Sequence, residues 1–234
     1  MSGTAETPVL EIAGAIPAPV GTRLPSVPLN LLVMPGECVL IDTRSPLQAT
    51  EFIDLCCGLL PLRSGFVRFL GRDWAETTHE LSSALRGHIG RLYGAESWIG
   101  FLPVDTNILL PQLHHTRRRE AVLRATATDL AIGFGLPGLP VSQPNALTAG
   151  DLLRAACVRA FMGEPRLLLL DNPELERIAD LVPALLNALM AARDNGAASI
   201  WVTRSDTLWK DRSFPASMRF HLAERGLVPA RETT

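Results

Sequence analysis

Asp171 stands directly after residues 167–170, four consecutive leucines in the most apolar part of the chain, with Pro165 bounding the run on its other side. A short continuous apolar run of this kind reads as a strand buried on both faces in the middle of a parallel sheet. An aspartate immediately after it lies at the strand's carboxyl end, where open α/β sheets bind ligands. Taken alone, the same five residues serve equally as a turn cap. Two further stretches set polar groups beside apolar elements. Residues 147–151, Leu-Thr-Ala-Gly-Asp, open a helix with Thr148 as N-cap, and residues 42–50 form a polar turn between an apolar strand at 38–41 and a helix. Cys38, Cys56, Cys57 and Cys157 lie in apolar contexts without metal-ligand spacing, so they read as reduced core residues and no metal site is expected.

The elements that must position these groups follow in order. Residues 9–12 and 27–33 read as strands separated by a loop over 16–25, which suits an antiparallel edge sheet. A helix over 46–58 presents Ala49, Phe52, Ile53, Cys56 and Cys57 on one face. A strand over 66–71, a helix over 78–86 and a strand over 89–93 come next, and residues 95–144 turn helical, with His114, His115 and Arg117 to Arg119 as the solvated start of a helix running to Phe134. The helix begun at Thr148 is stopped by Gly163 and Pro165. The helix after Asp171 caps at Asp180, which puts Pro183 in its first turn, shows Leu185, Leu186, Leu189 and Met190 on one face, and stops at Asn195-Gly196. Residues 199–203 form another core strand, and 218–228 a terminal hairpin turning at Glu224-Arg225-Gly226.

In order and spacing this series resembles the ATP-binding subunits of ABC transporters. The features that carry it are Pro35-Gly36-Glu37 before the strand at 38–41, residues 58–71 (Gly-Leu-Leu-Pro-Leu-Arg-Ser-Gly-Phe-Val-Arg-Phe-Leu-Gly), Leu147 to Asp151 opening a helix, Arg159-Ala160 within it, and the leucines leading to Asp171-Asn172-Pro173. The resemblance implies an α/β domain spanning residues 1–234: a P-loop NTPase-like parallel core, an N-terminal antiparallel β subdomain, and a helical lobe inserted over 95–150. Residues 134–140 further resemble the corresponding segment of lipid-transport ABC systems with MCE-type partners.

At the reactive positions the chain departs from that family. A phosphate loop has the form G-x-x-x-x-G-K-[ST], because glycines let backbone N–H groups turn toward phosphates and lysine neutralises them. On this pattern Asp42 and Leu47 replace the glycines, Gln48 the lysine and Ala49 the hydroxyl residue, while Thr50 is retained one position on and Pro46 removes a backbone donor. Asn172 stands for the water-polarising glutamate, Arg204 for the switch histidine, and Gly94 for the glutamine that senses metal and nucleotide. Lys210 is the only lysine in the chain. Phosphoryl transfer is stabilised almost wholly by electrostatics, so these losses together predict no catalytic residues and no hydrolysis. The residues that would face a nucleotide are Arg44, Gln48, Ala49, Thr50 and Asp171, with Thr148 and Gly150 toward a partner's site. ATP is expected to bind weakly or not at all, and magnesium is not expected.

With 22 Lys+Arg against 24 Asp+Glu the net charge is -2, which argues against broad binding to nucleic acid. No stretch approaches the roughly 18 apolar residues of a membrane span, and residues 1–8 show neither the basic start nor the apolar core of a secretory signal. The expectation is a cytoplasmic chain, peripheral on the inner face of the membrane. The resemblance implies two partners: a second ATP-binding subunit, the same or different, and a membrane permease received by Trp98, Ile99, Phe101 and Leu102, although these side chains serve equally as the lobe's own core. The reading is a hydrolysis-deficient subunit in an asymmetric or structural role. Its rivals are an active ATPase using Arg44 or Arg204 in place of lysine, and an adaptor outside any transporter.

Overall fold

The computed structural model describes residues 6–19, 21–93, 97–171 and 180–230. The gap residues Gly94 and Asn172 therefore lie outside the described residues. Two sheets form the framework. Strands β1 (Leu10–Pro17), β2 (Leu29–Val33), β4 (Leu62–Phe69) and β5 (Arg72–Asp73) make an antiparallel sheet in the order β2-β1-β4-β5. The second sheet runs β10-β9-β3-β8-β7-β6, from β3 (Cys38–Asp42), β6 (Ile89–Leu92), β7 (Leu167–Asp171), β8 (Ala198–Thr203), β9 (Met218–Ala223) and β10 (Gly226–Pro229). Strands β9, β3, β8, β7 and β6 are mutually parallel, and β10 returns antiparallel as the hairpin partner of β9.

Every residue of β7 and β8 is buried, as a strand covered on both faces requires. Alternate side chains enter different cores. Cys38, Leu40, Leu168, Leu170 and Trp201 join one apolar cluster with α3 (Val104–His115), α4 (Glu120–Gly133), α5 (Ala149–Phe161) and α6 (Leu181–Asp194). Val39, Ile41, Leu167, Leu169, Ile200 and Val202 join the other, with α1 (Pro46–Cys56) and the antiparallel sheet. The parallel sheet thus separates α1 from α5. Register pairs Asp42 with Thr203 and Asp171 with Val202, so both aspartates end on the same carboxyl edge.

Close approach at two glycines fixes the layers. A Cβ at Gly90 on β6 would fall 1.9 Å from the Ala160 carbonyl oxygen on α5, and one at Gly58, which has φ +65°, would fall 2.3 Å from the Trp74 ring. Trp74 and Arg86 in turn cap the end of α1, donating to the carbonyls of Cys56, Cys57 and Gly58.

Three expectations are corrected. The segment from His114 to Phe134 is not one helix: α3 ends at His115, whose ring bonds Ser83 on α2 (His79–Arg86), Thr116 is extended, and α4 starts only at Glu120. Met190 is half exposed rather than on the buried face of α6, which is Leu181, Leu185 and Leu189. The loop expected from residue 16 starts later, because β1 continues to Pro17 along β4. The cap at Thr148 and the stop at Asn195-Gly196 are as expected, and α6 starts after Asp180 as expected, but the Asp180 carboxylate makes no cap hydrogen bond and accepts from Arg154 instead.

Candidate functional site

The site grows from the turn between β3 and α1. Ser45 caps α1: its hydroxyl accepts from the Gln48 N–H at 3.3 Å and its carbonyl from the Ala49 N–H at 3.1 Å. Pro46 opens the helix, where its missing N–H costs nothing. A helix N-terminus attracts anions through unused N–H groups; here Pro46 has none and those of Gln48 and Ala49 are taken. The Gln48 side chain is also engaged. Its Oε1 accepts from Thr43 Oγ1 at 2.7 Å and its Nε2 donates to the Arg23 carbonyl at 3.4 Å. Ala49 is wholly buried with its methyl in the core, while Arg44 and Leu47 are exposed.

Thr50 and Asp171 do meet. Thr50 Oγ1 donates to Asp171 Oδ2 at 2.8 Å, tying α1 to the end of β7. Burial pushes the Asp171 carboxyl above its usual range, and the Thr50 hydrogen bond with the charges of Arg91 and Arg204 only partly offsets this. Asp42 is not directed at the loop alone: its Oδ2 lies 2.9 Å from Nδ1 of His221 on β9, whose ring packs against Trp209 at 4.5 Å. Lys210 pairs with Asp206 on the short helix α7 (Asp206–Lys210).

Thr148 and Gly150 begin α5 on the opposite face of the sheet from α1, so the structure does not bring them to the turn. Thr148 accepts from the Asp151 N–H at 3.1 Å and donates to its carboxylate at 2.8 Å. The expected permease surface divides in two. Phe101 is 78% exposed, whereas Trp98 packs on the core under the Arg159 guanidinium, 4.6 Å from the ring. Buried Asn107 on α3 holds this loop by donating to the carbonyls of Ile99, Leu102 and Pro103 and accepting from the Ile99 N–H. A half-open groove of about 510 Å³ lies at the other end of α1, lined by Leu59, Leu62 and Trp74 among others, and does not reach the turn.

The fold matches solved structures closely. An ATP-binding subunit of an ABC transporter superposes with a TM-score of 0.78 at 19% identity, covering 94% of this chain and 88% of that one. A bacterial ABC transporter cassette solved as a dimer gives 0.79 at 18%, covering 93% and 96%. No family model matches the sequence. Among curated proteins, the lipoprotein-releasing system ATP-binding protein LolD of Gluconobacter oxydans is 33% identical over 177 residues, 74% of this chain and 75% of that protein. The chain belongs to the ATP-binding subunits of ABC transporters. The bacitracin export ATP-binding protein BceA of Halalkalibacterium halodurans is 24% identical over 179 residues, 76% of this chain and 70% of that protein.

Within this ABC subunit several groups at the turn were not visible as partners in the sequence. Thr22, Arg23 and His221 are brought to Gln48, Glu51 and Asp42 across 25 to 179 residues of chain. The one available hint was that Glu51 follows Gln48 by three positions and so shares its side of α1. The four cysteines are free and buried as expected, and burial pushes their thiols up, to about 11 at Cys57 and about 12 at Cys157. No helix among the described residues is long and apolar enough to cross a membrane.

Proposed function

We propose that this ABC-type subunit does not hydrolyse ATP and serves as the structural or asymmetric half of a dimer with an active ATP-binding subunit. One observation carries the reading: Gln48, at the position of the phosphate-loop lysine, spends its amide on Thr43 and the Arg23 carbonyl. The remaining donors do not fit a magnesium-bound triphosphate. Ala49 has no hydroxyl, and the Thr50 hydroxyl and Asp171 carboxylate, which would have to serve a metal in its place, are bonded to each other. Asn172 carries no carboxylate to polarise water.

The exposed start of α5 at Thr148 and Gly150 faces the partner's nucleotide, and the exposed Phe101 with its loop meets a membrane permease, which holds the chain at the inner face of the membrane. A lipid-bearing cargo is the transported class, on the strength of residues 134–140 and of relatives named for lipoprotein release.

The test is magnesium-dependent ATP turnover by the purified chain. The expected result is none, and Gln48→Lys alone does not restore it. Turnover that disappears on changing Arg44 or Arg204 would overturn the proposal in favour of an arginine-driven ATPase. In cells, affinity purification from the native membrane should recover a second subunit with an intact phosphate loop.

A further inference from the structure

The β1–β2 connection crosses the start of α1 and is fastened there. Glu51 Oε2 accepts from Thr22 Oγ1 at 2.9 Å and from the Arg23 backbone N–H at 2.5 Å. Gln48 Nε2, one turn closer to the helix start, donates to the Arg23 carbonyl. Thr22 Oγ1 further accepts from the Leu24 N–H at 3.1 Å, which folds the segment into a compact turn, and Leu24 is buried in the same core as Ala49 and Phe52. Both backbone groups of Arg23 are therefore used by side chains of α1. Neither Glu51 nor Gln48 is needed by α1 itself, whose start Ser45 already caps. A surface carboxylate that accepts two hydrogen bonds from a segment 28 residues away orders that segment at the cost of its own rotamer freedom.

We infer that Thr22 to Leu24 form a strap that closes the start of α1 in the free chain, with Glu51 as the residue that positions it. With the strap in place the Arg23 carbonyl competes for a donor at position 48, so a phosphate has to win that side chain from it. The inference rests on the reading of the loop as a nucleotide-free site and adds how it is kept so: the closure comes from the antiparallel sheet and not only from residues lost within the loop. It also makes the strap the element that moves if a partner segment takes the loop.

Single-residue amide hydrogen exchange on the full chain reads the strap directly, without any nucleotide. The Arg23 amide should be protected in the unaltered protein. Glu51→Ala should speed its exchange at least tenfold, and Thr22→Val by less, while the amides of Leu55 and Cys56 on α1 keep their protection and so report that the fold is intact. An Arg23 amide that exchanges at the rate of an unstructured peptide, or one indifferent to Glu51→Ala, overturns the strap. Calorimetry with inorganic triphosphate tests exclusion: Gln48→Lys with Glu51→Ala should bind at least tenfold more tightly than Gln48→Lys alone, and equal or absent binding by the two overturns it. ATP turnover by the unaltered chain would sink the hydrolysis-deficient reading while leaving the exchange result to judge the strap.

Discussion

The start of α1 and the start of α5 are built alike and left in opposite states. Each is capped by a hydroxyl that accepts from the N–H three residues on, Ser45 from Gln48 and Thr148 from Asp151. Each follows from a sequence that any α/β domain could use. Both helices begin on exposed residues, yet the α5 cap bonds only to its own first turn, whereas α1 has its third and sixth residues tied to a distant loop. The difference teaches that the demands of folding and of chemistry can be met separately at one place. Capping satisfies backbone donors and is indifferent to whether glycines, lysine or a second hydroxyl follow. Phosphate binding needs those groups as well, and they can be replaced while the helix, its cap and the core beneath it stay in place.

The comparison breaks most severely on the side of α5. Gly90→Ala forces a Cβ to within 1.9 Å of the Ala160 carbonyl, so β6 and α5 must separate. A loss of about 3 kcal/mol or more is expected in denaturant unfolding. No change confined to residues 44–48 should approach that. Next in size, Trp98→Ala should cost about 2 kcal/mol because the ring packs on the core beneath Arg159, while Phe101→Ala should leave the melting temperature of the isolated chain unchanged and, if the proposed permease contact holds, weaken that assembly. Thermal melts and pull-down of the pair separate the two; equal destabilisation by both would place Phe101 in the core as well.

Smaller effects sharpen the comparison. Ser45→Ala and Thr148→Ala should each cost about 1 kcal/mol, and Ser45→Gly a few tenths, if capping is the shared role of both hydroxyls. A much larger loss for Ser45 in chemical denaturation would mean the cap also holds the strap. Asp171→Asn should have the smallest effect and a definite pH dependence. Burial raises the folded-state pKa of Asp171, so its ionisation opposes folding above that value and the penalty fades as pH falls through it toward the unfolded pKa. The asparagine variant, which keeps an acceptor for Thr50, should melt at or slightly above the unaltered protein near about pH 8, with the difference gone by about pH 4. A variant that melts well below the unaltered protein near about pH 8 but matches it near about pH 4 would show that the charge on Asp171 is required, as for a carboxylate with a cationic partner.

Much of the fold was legible because its signals are local. The leucines of β7, the cap at Thr148 and the Asn195-Gly196 stop each state a period, a cap or a left-handed turn within a few residues. The helix expected from His114 to Phe134 failed for a non-local reason: Gln112 is buried between Gly87 and Met162 and the His115 ring is held by Ser83, so the chain leaves the helix there despite residues that could continue it. Met190 failed likewise, since hydrophobicity does not say which of two apolar stripes on α6 meets the sheet.

The sequence by itself determined the parallel core, the two aspartates at strand ends, the helical stretch between β6 and β7 and the loss of lysine and hydroxyl groups, since residue types and short-range spacing carry all of these. Only the tertiary structure decided what those altered positions touch. Gln48 meets Arg23, Asp42 meets His221 and Thr50 meets Asp171 across separations of 25, 179 and 121 residues. A hydrogen bond acts over about 3 Å of space and leaves no periodic trace along the chain, so such partners become visible only when two sheets and a helix bring their backbones together.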